Sequence, residues 1–225
     1  SSIAQLRAMS PEEIIAVDPA QTPVRFGGII DGYFQTSDRM TIFSSGKQND
    51  TPFMTGMNRD ELRYRGEISD SFFALYPLGA DGDTSSVIKI AAQEQSRLSA
   101  YLWMEYRSKT SRTNGYIYYF DQAIPWPEHP EFGAFHTGEV PYVFNNLKML
   151  QRPWTATDTL VADRISSYWV NFVKNGDPNG EGLPPWNAYN PNDKTVMRLG
   201  EPMGMIPIAE SEARLNFLRD QLMPK

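Results

Sequence analysis

The sequence predicts an α/β protein, in which part of a mostly parallel sheet is flanked by helices. Two short apolar runs, 50–58 and 115–120, read as strands, and two long segments, 85–109 and 158–174, carry apolar residues at helical spacing. Strands that alternate with long helices are typical of parallel sheets. Two convincing central strands are too few to cover both helices, so we expect an N-terminal part to complete the sheet.

The first seventeen residues read as helical. Ser10 provides an N-cap, Pro11 stands at a first helical position, and two glutamates follow in the first turn. Residues 25–34 are apolar and interrupted by glycines, a pattern that suits a strand edge or a loop lying close to other backbone.

The strand at 50–58 is predicted to be buried and to end at Asn58, with Pro52 near its start, where a strand tolerates proline. The helix at 85–109 is predicted to face inward through Val87, Ile90, Ala91, Leu98, Tyr101 and Leu102. The run 115–120 is aromatic and β-branched and too short for a helix, which indicates a central strand.

A proline-rich loop, 124–132, follows that strand and leads to His136. The helix at 158–174 is predicted to turn Val161, Ile165, Trp169, Phe172 and Val173 inward and to stop at Asn175-Gly176. Residues 195–199 are predicted to form a last edge strand and 210–222 a closing helix. With no internal repeat and no linker, residues 1–225 read as one segment of a single domain.

Composition narrows the classes of function. The 21 basic and 27 acidic side chains leave a net charge of −6 and are dispersed along the chain, so no basic patch indicates a nucleic-acid partner. The absence of cysteine excludes thiolate metal sites and a cysteine nucleophile. No apolar run approaches the length of a membrane span.

Two residues that follow the predicted strands carry the candidate chemistry. Glu61 lies just beyond the strand that ends at Asn58, and His136 lies in the loop after the strand 115–120. Open α/β folds bind ligands at the carboxyl ends of their strands. Imidazole is a natural general base near neutral pH, and a carboxylate on its other nitrogen fixes its tautomer. On spacing alone, two alternatives remain open: Glu61 is a solvated glutamate, and His136 is an ordinary loop histidine.

Four collinear motifs resemble those of one family. Residues 25–32 (Arg-Phe-Gly-Gly-Ile-Ile-Asp-Gly), 56–61 (Gly-Met-Asn-Arg-Asp-Glu), 133–144 (Gly-Ala-Phe-His-Thr-Gly-Glu-Val-Pro-Tyr-Val-Phe) and 168–179 (Tyr-Trp-Val-Asn-Phe-Val-Lys-Asn-Gly-Asp-Pro-Asn) occur in this order, followed by Pro-Trp-Asn-Ala-Tyr at 185–189. Together they resemble the C-terminal portion of the type-B carboxylesterases, the α/β-hydrolase family that includes the cholinesterases.

The resemblance implies a carboxylic-ester hydrolase with a Ser-His-Glu triad, in which Glu61 is the acid and His136 the base. No G-x-S-x-G nucleophile motif occurs in the 225 residues. The serine and the oxyanion hole are therefore expected on an N-terminal part, which would be the obligatory partner, and this chain alone would be inactive. The resemblance implies a small carboxylic ester as substrate and no cofactor, and it slightly favours a secreted or periplasmic location.

Alternatives remain open at this stage. The second reading, after the hydrolase, is a non-catalytic, cholinesterase-like binding or adhesion module. The third reading is a complete small protein. Leu62 stands where the family usually has glycine, and it would be strained if that position needs positive φ. Glu139 is either a second acid near the site or an anchor of its own loop through backbone hydrogen bonds, and His129 is expected to be a surface residue.

Overall fold

The computed structural model describes residues 2–16 and 28–223. The chain divides into two compact units, residues 1–39 and residues 40–225. The candidate residues Glu61 and His136 both belong to the second unit.

The first unit contains two short helices, α1 (Ile3–Ala8) and α2 (Pro11–Ile15). The predicted N-cap is confirmed: the Ser10 hydroxyl accepts a hydrogen bond from the backbone N–H of Glu13, whose carboxylate accepts one from the Ser10 N–H. Residues 28–34 form a loop, and the rest of the segment predicted at 25–34 lies outside the described residues.

The second unit is a four-stranded sheet with helices on both faces. Its strands are β1 (Phe53–Asn58), β2 (Gly115–Phe120), β3 (Thr195–Leu199) and β4 (Gly204–Pro207). Helix α3 (Arg39–Ser44) begins at the last residue of the first unit. The helices that follow it are α4 (Asp70–Leu75), α5 (Thr84–Ser108), α6 (Val140–Val143), α7 (Ala156–Asn175) and α8 (Glu212–Leu222). Two 3₁₀ turns lie at Pro130–Phe132 and Leu147–Met149.

The sheet has the order β1-β2-β3-β4. The first three strands are parallel and β4 is antiparallel to β3, so the expected partial, mostly parallel α/β sheet is present. Asn58 pairs with Phe120 at the end of the β1–β2 register. The segments that leave β1 and β2 therefore start at the same edge of the sheet, where open α/β folds place their ligands.

Strand β2 is central because its alternate side chains enter two separate cores. Tyr116 and Phe120 pack with residues of α6 and α7, whereas Ile117 and Tyr119 pack with residues of α5 and α8. A strand covered on both faces reads as a continuous apolar run, which is why the pattern Gly-Tyr-Ile-Tyr-Tyr-Phe predicted it.

Four predictions about the elements are wrong. Strand β1 was predicted to be buried, but only its last residue is buried and the other five are partly buried. Strand β3 is not at the edge, because the unpredicted strand β4 lies outside it. Ile90 and Val173, both predicted to face inward, are exposed, although the other predicted inward residues of their helices are buried or partly buried.

The predicted stop of α7 is confirmed. Gly176 has a φ of +72°, and its N–H donates a hydrogen bond to the Phe172 carbonyl.

No helix within residues 2–16 and 28–223 has the length and the apolar character needed to cross a lipid bilayer.

Candidate active site

The turn that follows β1 carries the candidate acid. The backbone N–H of Arg59 continues the ladder to the Phe120 carbonyl at 2.9 Å, and beyond this residue the chain leaves the sheet. The guanidinium of Arg59 bonds the carboxylate of Asp121, the first residue after β2, at 2.6 Å. These two contacts attach the turn to strand β2, so the backbone that carries Glu61 is held in place.

Both carboxylate oxygens of Glu61 have a partner. Oε1 accepts a hydrogen bond from the backbone N–H of Asn58 at 2.8 Å, and Oε2 lies 2.7 Å from Nδ1 of His136. The Glu61 side chain is only 9% exposed, whereas the His136 side chain is 81% exposed. One oxygen therefore holds the carboxylate in place and the other is free to orient the imidazole.

The segment that carries His136 is held by the same turn. Asp60 and Ala134 exchange two hydrogen bonds: the Asp60 N–H donates to the Ala134 carbonyl at 3.0 Å, and the Ala134 N–H donates to Asp60 Oδ2 at 2.9 Å. Gly133 has a φ of +55°, and a Cβ there would overlap the Asp60 carboxylate. Only glycine allows this approach.

Asn58 provides a second attachment. Its Nδ2 donates to the Phe135 carbonyl at 2.7 Å and to Glu139 Oε2 at 2.5 Å. The carboxylate of Glu139 is therefore bound by the end of β1, in addition to the backbone hydrogen bonds that its carbonyl accepts from Tyr142 and Val143. Sequence reasoning gave Asn58 no role beyond ending the strand.

The backbone directly after His136 is unusual. Thr137 has a φ of +68°, a conformation that β-branched residues rarely adopt. Such conformations cost about 1–3 kcal/mol and persist where the surroundings enforce them. No sequence pattern identified this position, because a threonine gives no signal for positive φ.

Electrostatics favour the charged imidazole. The hydrogen bond to Glu61 raises the pKa of His136 above its ordinary value of 6.5, the negative charge of Glu61 raises it further, and Glu139 adds to the effect. The same bond selects the tautomer with the proton on Nδ1, which leaves the lone pair on Nε2. No described residue forms a hydrogen bond with Nε2, and this nitrogen is therefore available as a base.

Leu62 is not strained. Among the described residues, the non-glycine positions with positive φ are Thr137 and Asn145, and Leu62 is not one of them. Its side chain instead lines an open cleft of about 530 Å³ beside the turn, together with Arg63 and Lys89. Neither Glu61 nor His136 is among the residues that line this cleft, so the second reading of this position, as a neighbour that lines the site, stays a prediction.

The other histidine lies apart from this pair. His129 stacks on Phe132 at 5.1 Å and its Nδ1 lies 3.2 Å from Glu131 Oε1, with both side chains exposed. Within the described parts of the chain, no group of three or more histidine, aspartate and glutamate side chains is arranged to hold a metal ion.

Comparison with known proteins shows the family of the chain. A family model described as the carboxylesterase family matches residues 84–218. Solved esterase structures superpose on nearly the whole chain, which shows that its fold is part of an α/β-hydrolase fold. The chain belongs to the carboxylesterase family.

Individual relatives are distant and longer. Human cocaine esterase is 24% identical over 98% of this chain and 45% of its own length. A thermophilic PNB esterase superposes with a TM-score of 0.69 at 20% identity, covering 97% of this chain and 50% of that structure. A Geobacillus stearothermophilus carboxylesterase gives a TM-score of 0.67 at 19% identity, covering 96% and 50%. The chain thus spans about half the length of these proteins.

Proposed function

We propose that this chain supplies the acid and the base of a Ser-His-Glu triad in a carboxylic-ester hydrolase. The observation that carries the proposal is the bond of 2.7 Å between Glu61 and His136, which joins a carboxylate whose side chain is only 9% exposed to an exposed imidazole. Membership of the carboxylesterase family supports the same activity. The nucleophilic serine and the oxyanion hole lie on an N-terminal part of the same fold, and the substrate is a small carboxylic ester.

The reaction uses Nε2 of His136. As the serine hydroxyl attacks the ester carbonyl, Nε2 takes its proton, and the imidazolium then returns that proton to the departing alcohol. In the second half of the reaction, water attacks the acyl-enzyme with His136 again acting as the base. This step releases the carboxylic acid product and regenerates the free serine. Glu61 stays ionised throughout and stabilises the imidazolium through Nδ1.

A serine-directed fluorophosphonate tests the proposal. The complete protein is treated with the reagent and its intact mass is measured, with the His136→Ala and His129→Ala variants in parallel. We expect one adduct, on a serine outside these 225 residues, in the unmodified protein and in His129→Ala. The labelling rate falls by about 10³-fold or more in His136→Ala, because the serine loses its base.

Two outcomes would contradict the proposal. Equal labelling rates in both variants would remove His136 from the mechanism. No adduct on any form would favour the non-catalytic binding module, which has no use for an activated serine.

A further inference from the structure

Asn58 lies between the two halves of the Glu61–His136 pair. It is the last residue of β1 and is only 2% exposed. Its backbone N–H bonds Glu61 Oε1, and its side-chain amide bonds the carbonyl of Phe135, the residue directly before His136. One residue therefore contacts both the carboxylate and the peptide that carries the imidazole.

Only an amide side chain suits this position. An asparagine Nδ2 has two N–H donors, and both are used here, one on the Phe135 carbonyl and one on the Glu139 carboxylate. An aspartate would bring oxygen against both acceptors, and an apolar residue would leave them without this donor in a partly buried site. The pair Asn58–Glu139 also spans 81 residues of sequence, so it holds distant segments together.

We propose that Asn58 is a positioning residue that fixes His136 against Glu61, an inference that rests on the proposed function. The exchange between Asp60 and Ala134 and the hydrogen bond from the Ile124 N–H to the Gly133 carbonyl at 3.0 Å hold the histidine segment two and three residues before His136. The bond from Asn58 to Phe135 adds an attachment at the residue directly before His136, where it bears most directly on the direction of the imidazole. Glu139 holds the Asn58 amide in the plane that this bond requires.

The test uses Asn58→Ala in the complete hydrolase, assayed with p-nitrophenyl acetate. We expect kcat/KM to fall about 10²-fold, mostly through kcat, because small displacements of a catalytic group have effects of this size. The acidic limb of the pH–rate profile moves to lower pH, because a looser bond to Glu61 raises the pKa of His136 less. A purely structural role would not move this limb.

The double variant Asn58→Ala/His136→Ala shows whether Asn58 acts through the histidine. If it does, removing Asn58 costs nothing further once His136 is absent, and the double variant keeps the residual rate of His136→Ala. A further 10²-fold loss in the double variant would overturn the inference.

A matched control lies at the opposite end of the sheet. Thr113 Oγ1 donates to Asp50 at 2.8 Å and accepts from Arg107, just before β2. Thr113→Val is expected to lower Tm while the pH–rate limb stays in place. If Asn58→Ala behaves in the same way, Asn58 is structural and the inference is wrong.

Two further variants separate the possible failures. Asn58→Ser keeps one donor, is expected to lose about tenfold in kcat/KM, and replaces the alanine variant if that does not accumulate. Unchanged turnover in whichever soluble Asn58 variant is tested overturns this inference alone, provided that His136→Ala is inactive. Full turnover in His136→Ala would instead overturn the proposed function.

Discussion

The chain contains two histidine–glutamate pairs that differ in sequence separation and in how the carboxylate is held. His136 Nδ1 lies 2.7 Å from Glu61 Oε2, and His129 Nδ1 lies 3.2 Å from Glu131 Oε1. The first pair joins residues 75 positions apart, whereas the second joins residues two positions apart within one loop. The contrast shows that proximity of the two residue types does not by itself make an acid–base pair.

The decisive difference is how the carboxylate is held. Glu61 is 9% exposed and its second oxygen accepts the Asn58 N–H, so its position does not depend on the histidine. The Glu131 side chain is 62% exposed, and the His129 side chain is 46% exposed. An exposed pair of this kind contributes little, because water competes for both partners.

The largest expected effect comes from removing the base of the first pair. His136→Ala in the complete enzyme is expected to lower kcat by about 10⁴- to 10⁶-fold, because the serine then has no proton acceptor. Steady-state ester hydrolysis measures the loss. Circular dichroism should be unchanged, because the side chain is 81% exposed.

Glu61→Gln is expected to lower kcat by about 10³- to 10⁴-fold, because an amide neither selects the same tautomer nor stabilises the imidazolium. The Asn58 N–H still has the amide oxygen as an acceptor, so the turn keeps its shape. Stopped-flow measurement of acylation checks this rate. A loss below tenfold would mean that Glu61 does not orient His136.

The pH dependence of activity tests the effect of the negative charges around His136. Since Glu61 raises the pKa of His136, the imidazole is protonated and inactive at low pH, and activity rises as pH increases through a pKa above 6.5. Glu139→Gln is expected to move this limb to lower pH, because one negative charge is removed while an oxygen remains to accept from Asn58. A shift to higher pH would contradict the assigned influence of Glu139.

The smallest effect is expected at the second pair. His129→Ala should change kcat/KM by less than about twofold, because surface substitutions away from a site have small effects. The same ester assay provides the measurement. A loss of tenfold or more would assign the base to the wrong histidine.

Much of the secondary structure follows from local sequence. The strands β1 and β2, the long helices α5 and α7 and the αL stop at Gly176 were all predicted, because each is set by apolar periodicity or by a terminal signal. Strand β4 was not predicted, since its four residues, Gly-Met-Ile-Pro, form a strand only by pairing with β3. The exposed Ile90 shows the limit of apolar periodicity as a signal. Periodicity predicts which face of a helix is buried but not how far around the helix the neighbouring elements cover it.

The residue types that follow β1 and β2 can be read directly from the chain, and its motifs singled out Glu61 and His136 as the candidate pair. The contact between these two residues, the absence of a positive φ at Leu62 and the link from Asn58 to Glu139 are visible only in the folded chain. The two kinds of information differ in range. Helix periodicity and capping act over a few residues, whereas these hydrogen bonds require two parallel strands to bring segments about 75 to 81 residues apart to one edge of a sheet.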